Sequence, residues 1–187
     1  PVEIGGRHLG DAAADGDQPS HLISLIHWCR RIGLEVLCGG KFGEKHLSVD
    51  IANQQLRFRN GKTQDLTPEE TDLFRPLTNK QSRLEEIIIQ RKERLGDLID
   101  VRTDDLTELG IVANATGLRV ERERFHHPVL WPNEMPTVLA PKIYGGLLEG
   151  RGIIEQATYL RSDNDTSMGG GVDVTVHANN AYSKSSL

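Results

Sequence analysis

The sequence predicts an α/β (α+β) fold, with helices packed on a mixed sheet and a C-terminal β-hairpin. Three observations predict it. The stretch "PSHLISLIHWCRRIGLEVLC" passes from an amphipathic helix straight into an apolar strand, which is the alternation that α/β proteins use. "HLSVDI" and "QLRFRNGK" alternate apolar and polar residues around a short polar connection, as a hairpin does. "GIIEQATYL" and "GVDVTVHA" read as two more strands, joined by the turn-rich "RSDNDTSMGG".

Taken in order, the first helix runs from Pro19 to Ile32. Leu22, Leu25, Ile26 and Cys29 recur at helical spacing and Gly33 ends it. "LEVLC" follows as a buried strand, and Gly39 and Gly40 read as a turn that sets Lys41 at its end. In "LTPEETDLF", Thr67 caps a helix, Pro68 suits its first turn and Glu70 closes a capping box. Residues 80–99 place Leu84, Ile87, Ile88, Leu95 and Leu98 on one helical stripe, with charges on a solvated face. "TDDLTELGIVANATGL" is a further helix, capped by Asp or Thr and stopped by Gly117. Its middle is small and apolar all round, as a helix enclosed in the domain would be. Residues 122–152 carry Pro128, Pro132, Pro136 and Pro141 among several glycines, so they read as a long ordered loop or a string of short elements. Such loops often carry function.

Composition narrows the function classes. The 187 residues are 37% hydrophobic and 26% charged, which fits one folded domain with a sizeable core, or one domain plus appendages. A net charge of −5 gives no basic footprint for nucleic acid. No apolar run is long enough to span a membrane and the start does not read as a signal peptide, so a cytoplasmic setting is expected. Cys29 and Cys38 fall in apolar segments and are expected as buried free thiols. A start at proline and an end without a terminating element suggest a fragment or a processed product.

Candidate chemistry is sparse. The chain has neither G-x-G-x-x-G nor G-x-x-x-x-G-K-[ST], and "GGKFGEK" lacks the spacing of a phosphate cradle. Lys41 either meets an anionic group or a proton acceptor, or it belongs to a solvated glycine turn; for Lys45 the solvated turn is favoured. Asp104, Asp105 and Glu108 fall within one helical turn. They could present hard oxygen ligands, but acids at a helix start are expected from capping and the macrodipole, and that reading is preferred. His126 and His127 are adjacent and lack zinc-ligand spacing. No metal site is expected, and no nucleophile elbow is present.

Three stretches taken together, "ADGDQPSHLISLIHWCRRIGLEVLCGGK", "LTELGIVANATGL" and "VLAPKIYGGLLEGRGIIE", resemble the homoserine dehydrogenase-like oxidoreductases with a C-terminal SAF-type domain, the group that includes deoxyxylulose-phosphate reductoisomerase-like enzymes. The resemblance runs from about Asp15 to the end. It implies that residues 1–15 are a remnant or divergent end of a nucleotide-binding domain, that 16–140 form the catalytic domain and that 141–187 begin a truncated β-rich SAF-type segment. It implies NAD(P) as cofactor of the intact parent, near Gly16, Asp17, Gln18 and Pro19. A divalent metal has no support in the sequence. Lys41 and Lys142 would anchor anionic substrate oxygens or supply a proton, with Gly145, Gly146 and Glu149 shaping the same site. Many relatives carry a lysine where Asp104 stands, so no role for that lysine transfers. The implied reaction is hydride transfer to or from a small hydroxy- or oxo-substrate, which a phosphorylated one would satisfy. The fragment alone is expected to be inactive and to bind NADH or NADPH weakly. The alternative is a non-catalytic binding or regulatory module derived from such an enzyme. The expected partner is a small-molecule substrate, with no nucleic acid and no membrane, and a homo-oligomer is allowed.

Overall fold

The computed structural model describes residues 2–4, 7–9, 17–43, 47–58, 61–77, 83–96, 99 and 103–179. Two short strands, β1 (Val2–Ile4) and β2 (Arg7–Leu9), pair antiparallel in a sheet of their own. The remaining strands form a seven-stranded mixed sheet against which the helices pack.

Helix α1 (Gln18–Arg31) starts where the Asp17 side chain accepts from the Gln18 amide. It buries Leu22, Ile26 and Cys29, three of the four residues whose spacing predicted it, and leaves Leu25 half-buried. Burying each such aliphatic side chain contributes roughly 1.5–3 kcal/mol. A tight turn through Gly33 leads into β3 (Glu35–Phe42), which is buried from Val36 onward. Strands β4 (Leu47–Asp50), β5 (Gln55–Phe58) and β6 (Thr63–Asp65) form an antiparallel meander that includes the expected hairpin. Helix α2 (Pro68–Leu73) has the capping box read from Thr67 and Glu70. Helix α3 (Leu84–Leu95) is shorter than the stripe suggested, and Leu98 lies outside the described residues. Helix α4 (Thr103–Thr116) ends at Gly117, whose φ is 72°. It is not enclosed on all sides: Leu109 and Val112 are buried, whereas Gly110 and Asn114 are exposed. Its capping residue lies outside the described residues.

The proline-rich stretch resolves into short elements: β7 (Val129–Leu130), a 3-10 turn at Pro132–Glu134, α5 (Met135–Val138) and a second 3-10 turn at Lys142–Tyr144. Strands β8 (Ile153–Arg161) and β9 (Val172–His177) both form, but they are not a hairpin. β3 pairs with both, parallel to β8 and antiparallel to β9. The long turn-rich connection lets the chain cross over β3 instead of folding back beside β8. The path of paired strands is β6-β5-β4-β8-β3-β9, and β7 also pairs with β8. Strands from the segment beginning at residue 141 thus share one sheet with β3 and β4.

Helices α1 and α4 cover one face, where Ile154 and the β9 valines meet Leu22, Ile26, Leu109 and Val112. On the other face Cys38, Phe42, Ile153 and Tyr159 pack with Leu84, Ile88 and Val138. Both cysteines are buried and free. Among the described residues no helix is long and apolar enough to cross a membrane.

Candidate functional site

Lys41 is only 3% exposed, although a lysine is among the costliest side chains to bury. Gly39 and Gly40 do not form a turn: they are extended residues inside β3, and each permits a close approach. A Cβ on Gly39 would lie 3.1 Å from Ile26 of α1, and one on Gly40 would lie 2.5 Å from the Glu155 carbonyl oxygen of β8. The glycine pair therefore lets α1 and β8 close on β3 immediately before Lys41.

Strand alternation turns Lys41 toward α4. Its Nζ donates to Asp105 Oδ1 at 2.6 Å and also to Glu108 Oε2. Gln156 stands opposite Lys41 in the β3–β8 register, is fully buried, and donates from Nε2 to Asp105 Oδ2 at 2.9 Å. The Glu108 side chain is 25% exposed and connects the cluster to solvent. Burial opposes the charge on Lys41, but its bonds to Asp105 and Glu108 outweigh that cost and hold its pKa above the ordinary lysine value. The ammonium is charged at neutral pH, with two carboxylates for one cation.

The helices converge on the same place. Arg30 Nη1 near the end of α1 donates to the Thr116 carbonyl at the end of α4, at 2.6 Å, so the two C-termini lie together. With both helices laid along the same strands, their N-termini also fall at one end, the end where β3 carries Lys41. Open α/β sheets bind ligands at the carboxyl ends of parallel strands, and Lys41 stands at that end of β3, opposite Gln156 in the first half of parallel β8. Asp17, Gln18 and buried Pro19 lie at this end of α1, and Gly16 is outside the described residues, as is Lys45. Among the described residues, Gln18 Oε1 is buried without a partner.

Behind the sheet, Glu155 gathers the two histidines. Its Oε2 accepts from the His126 amide at 3.1 Å and lies 2.8 Å from His126 Nδ1, and its Oε1 accepts from the His127 amide at 3.2 Å. His127 Nε2 meets Thr158 Oγ1 at 2.8 Å. Burial, reinforced by the Lys92 charge, pushes the His127 pKa down to about 4, so this imidazole is neutral at physiological pH.

Lys142, Gly145, Gly146 and Glu149 do not join Lys41. Lys142 is exposed and donates to Glu149 at 2.5 Å. Tyr144 stacks on His177 with ring centroids 5.0 Å apart, and Arg151 pairs with Glu35 at 2.6 Å. His177 is opposite Glu35 in the β3–β9 register, so this loop sits at the start of β3. Lys41 is six residues further along that strand, roughly 20 Å at about 3.3 Å per residue. The two glycines shape the loop itself: Gly145 has φ 85°, and a Cβ on Gly146 would collide with the Ala140 carbonyl oxygen. Gly146→Ala should accordingly destabilise the protein by about 1–3 kcal/mol, as overpacking does. Chemical denaturation would measure it, and an unchanged midpoint would mean that the loop gives way freely.

Asp105 and Glu108, expected as acids of the helix start, also hold the Lys41 ammonium, a contact that expectation did not include. The side chain of Asp104 lies outside the described residues. A signal was present in the spacing. Asp105 shares a helical stripe with Leu109, Val112 and Thr116, all buried, so a carboxylate stood on the core face. Gln156 carried no comparable mark.

No curated protein matches the chain in a sequence comparison. The model of one protein family matches residues 16–187. That family is described as the catalytic domain of oxidoreductase DRL, and the chain belongs to it.

Proposed function

We propose that the chain supplies the substrate side of an NAD(P)-dependent oxidoreductase that interconverts a small hydroxyl-bearing compound and its oxo form. The observation that carries this reading is the buried Lys41–Asp105–Glu108 cluster at the carboxyl end of β3, beside Gln156 of its parallel neighbour β8. Membership of an oxidoreductase catalytic-domain family supports it. Buried charge of this kind is costly to keep for structure alone.

The charge balance points to what Lys41 does. With two carboxylates around one ammonium, the cluster is a poor anchor for an anionic group. It suits an uncharged carbonyl or hydroxyl oxygen, which accepts a hydrogen bond from the remaining Lys41 N–H. Reduction adds hydride to the carbonyl carbon and leaves an alkoxide. Lys41 gives that oxygen a proton and is reprotonated from solvent through Glu108, and oxidation runs the same steps backward. A phosphate on the substrate, which the family resemblance suggests, would be bound away from these carboxylates.

The residues at the start of α1 fit the reactive end of a nicotinamide cofactor but not its pyrophosphate. The unpartnered Gln18 Oε1 suits an amide or hydroxyl donor, while the chain has no glycine fingerprint for the phosphates. A nicotinamide would supply or accept the hydride.

The test combines the protein, joined to its nucleotide-binding domain, with NADH or NADPH and a panel of small 2-oxo acids, hydroxyketones and phosphorylated ketoses. Nicotinamide absorbance reports turnover. Turnover that is lost on Lys41→Met and whose pH dependence changes on Glu108→Gln supports the proposal. The absence of turnover across the panel, or turnover indifferent to both changes, would count against it.

A further inference from the structure

Asp173 is the least accommodated charge-bearing side chain among the described residues. It is 7% exposed, and neither carboxyl oxygen has a hydrogen-bond partner. It stands opposite Gly40 on β9, while Glu155 stands opposite the same glycine on β8, so two acids flank one position of β3. A side chain on Gly40 would fill the space that Asp173 uses, since its Cβ would be 3.1 Å from Asp173 Oδ1.

Among the described residues, the surrounding elements offer Asp173 no counter-charge. β3 contributes the Cys38 thiol, whose own pKa burial and then Asp173, Glu155 and Glu121 raise well above the usual value. β8 contributes Glu155. The segment before β7 contributes Glu121 and His126, and the imidazole is turned to Glu155. Lys92 of α3 donates to the His126 carbonyl at 2.5 Å. Helix α5 has no titratable residue. On the opposite face Lys41 is held by Asp105 and Glu108, and the titratable side chains of α1, His21, His27, Arg30 and Arg31, are exposed.

The two acids are not equally fixed. Glu155 lies on a strand paired with β3, β4 and β7, and it accepts from the amides of His126, His127 and Gln156. Asp173 lies on β9, which among the described residues pairs with β3 alone. β9 also follows an exposed connection that ends in Gly169, Gly170 and Gly171. That connection rests on the Lys41 end of β3: the Phe42 amide donates to the Gly171 carbonyl at 2.9 Å, and the Gly170 amide to the Phe42 carbonyl at 3.2 Å.

We propose that β9 is a proton-controlled latch: with the Asp173 carboxyl protonated the strand lies on β3 and holds residues 167–171 against Phe42, and release of that proton to solvent frees the strand and uncovers the Lys41 end of the sheet. Burial, and after it the negative Glu155, push the Asp173 pKa up to about 7, which places the change in the neutral range. Because the folded-state pKa is raised, the docked strand is most stable at low pH and loses stability as pH rises through about 7. The inference does not depend on what the Lys41 site turns over.

Hydrogen exchange on the full chain, corrected for intrinsic rates, tests it at about pH 6 and about pH 8. Protection across β9 should fall about tenfold at the higher pH, while β8 stays constant. Asp173→Asn, which cannot ionise, should keep β9 protected at both. Equal protection of the wild-type strand at both pH values would overturn the latch, and so would loss of protection in Asp173→Asn at the lower pH. Should Asp173→Asn fail to fold, the carboxyl carbon of wild-type Asp173 can be followed by NMR. A midpoint near 7 shared by the Val174 amide supports the proposal, and a midpoint in the ordinary carboxylate range overturns it.

Discussion

Arg91→Met is expected to lower the free energy of unfolding by about 3–5 kcal/mol, a large share of the roughly 5–15 kcal/mol available to a domain. Arg91 is completely buried. Its guanidinium donates to Glu134 Oε2 at 2.7 Å and Oε1 at 3.1 Å, and to the carbonyls of Leu73, Arg75 and Val129. Glu134 in turn accepts from the amides of Leu77 and Trp131, at 2.6 and 2.8 Å. One ion pair thus ties α3 to the end of α2, to β7 and to the turn that follows β7. Methionine keeps much of the arginine's volume but strands the Glu134 charge and three carbonyl oxygens without partners. Glu134→Gln should cost less than Arg91→Met, because the carboxamide still accepts from Arg91. In urea titrations, Arg91→Met combined with Glu134→Gln should cost clearly less than the sum of the two single changes, since the second no longer breaks an intact pair. A loss below about 1 kcal/mol for Arg91→Met would mean that the pair is no more than a surface-grade salt bridge.

That knot also marks the limit of sequence reading. Arg91 stands in "IIIQRKERL", where a charged residue among other charges reads as part of a solvated face. Nothing local says that this one arginine points inward, because its partners come from segments more than ten residues away on either side. Elements governed by near neighbours were legible. The capping box at Thr67 and Glu70, the stripe of α1 and the stop at Gly117 each depend on contacts within a few residues. Arrangements governed by topology were not. β8 and β9 form where expected, yet local alternation cannot reveal that β3 lies between them. The same gap separated Lys41 from Lys142. Both stand beside glycines in stretches that carry the family resemblance, but β3 runs between their positions and places them at opposite ends. Asp105 could have been found, since a carboxylate on an apolar stripe needs a cation.

Lys41→Met should lower kcat/KM by about 100-fold or more in the active oxidoreductase, equivalent to at least roughly 2.7 kcal/mol of transition-state stabilisation. The proposed step requires a charged donor at the reacting oxygen, and methionine keeps the length of the chain while removing both charge and protons. Stability will fall as well, because Asp105 is left buried without its cation. Activity loss alone therefore cannot separate a catalytic lysine from a structural one. Lys41→Arg separates them. Arginine keeps the charge and can still meet Asp105 and Glu108, but its planar guanidinium neither gives up a proton near neutrality nor places a donor where the ammonium was. If Lys41 only binds α4 to the sheet, Lys41→Arg should fold and retain most of its kcat/KM. If Lys41 donates the proton, the variant should fold with a melting temperature nearer to wild type than that of Lys41→Met and yet lose most of its activity. Glu108→Gln adds a readout that a structural role would not move. It leaves Lys41 paired with Asp105 but removes the carboxylate exposed to solvent. The pH dependence of kcat should then change while KM stays close to wild type. A Lys41→Arg protein with near wild-type kcat/KM, or a Glu108→Gln protein with an unaltered pH profile, would reduce the cluster to a buried ion pair that holds α4 against β3.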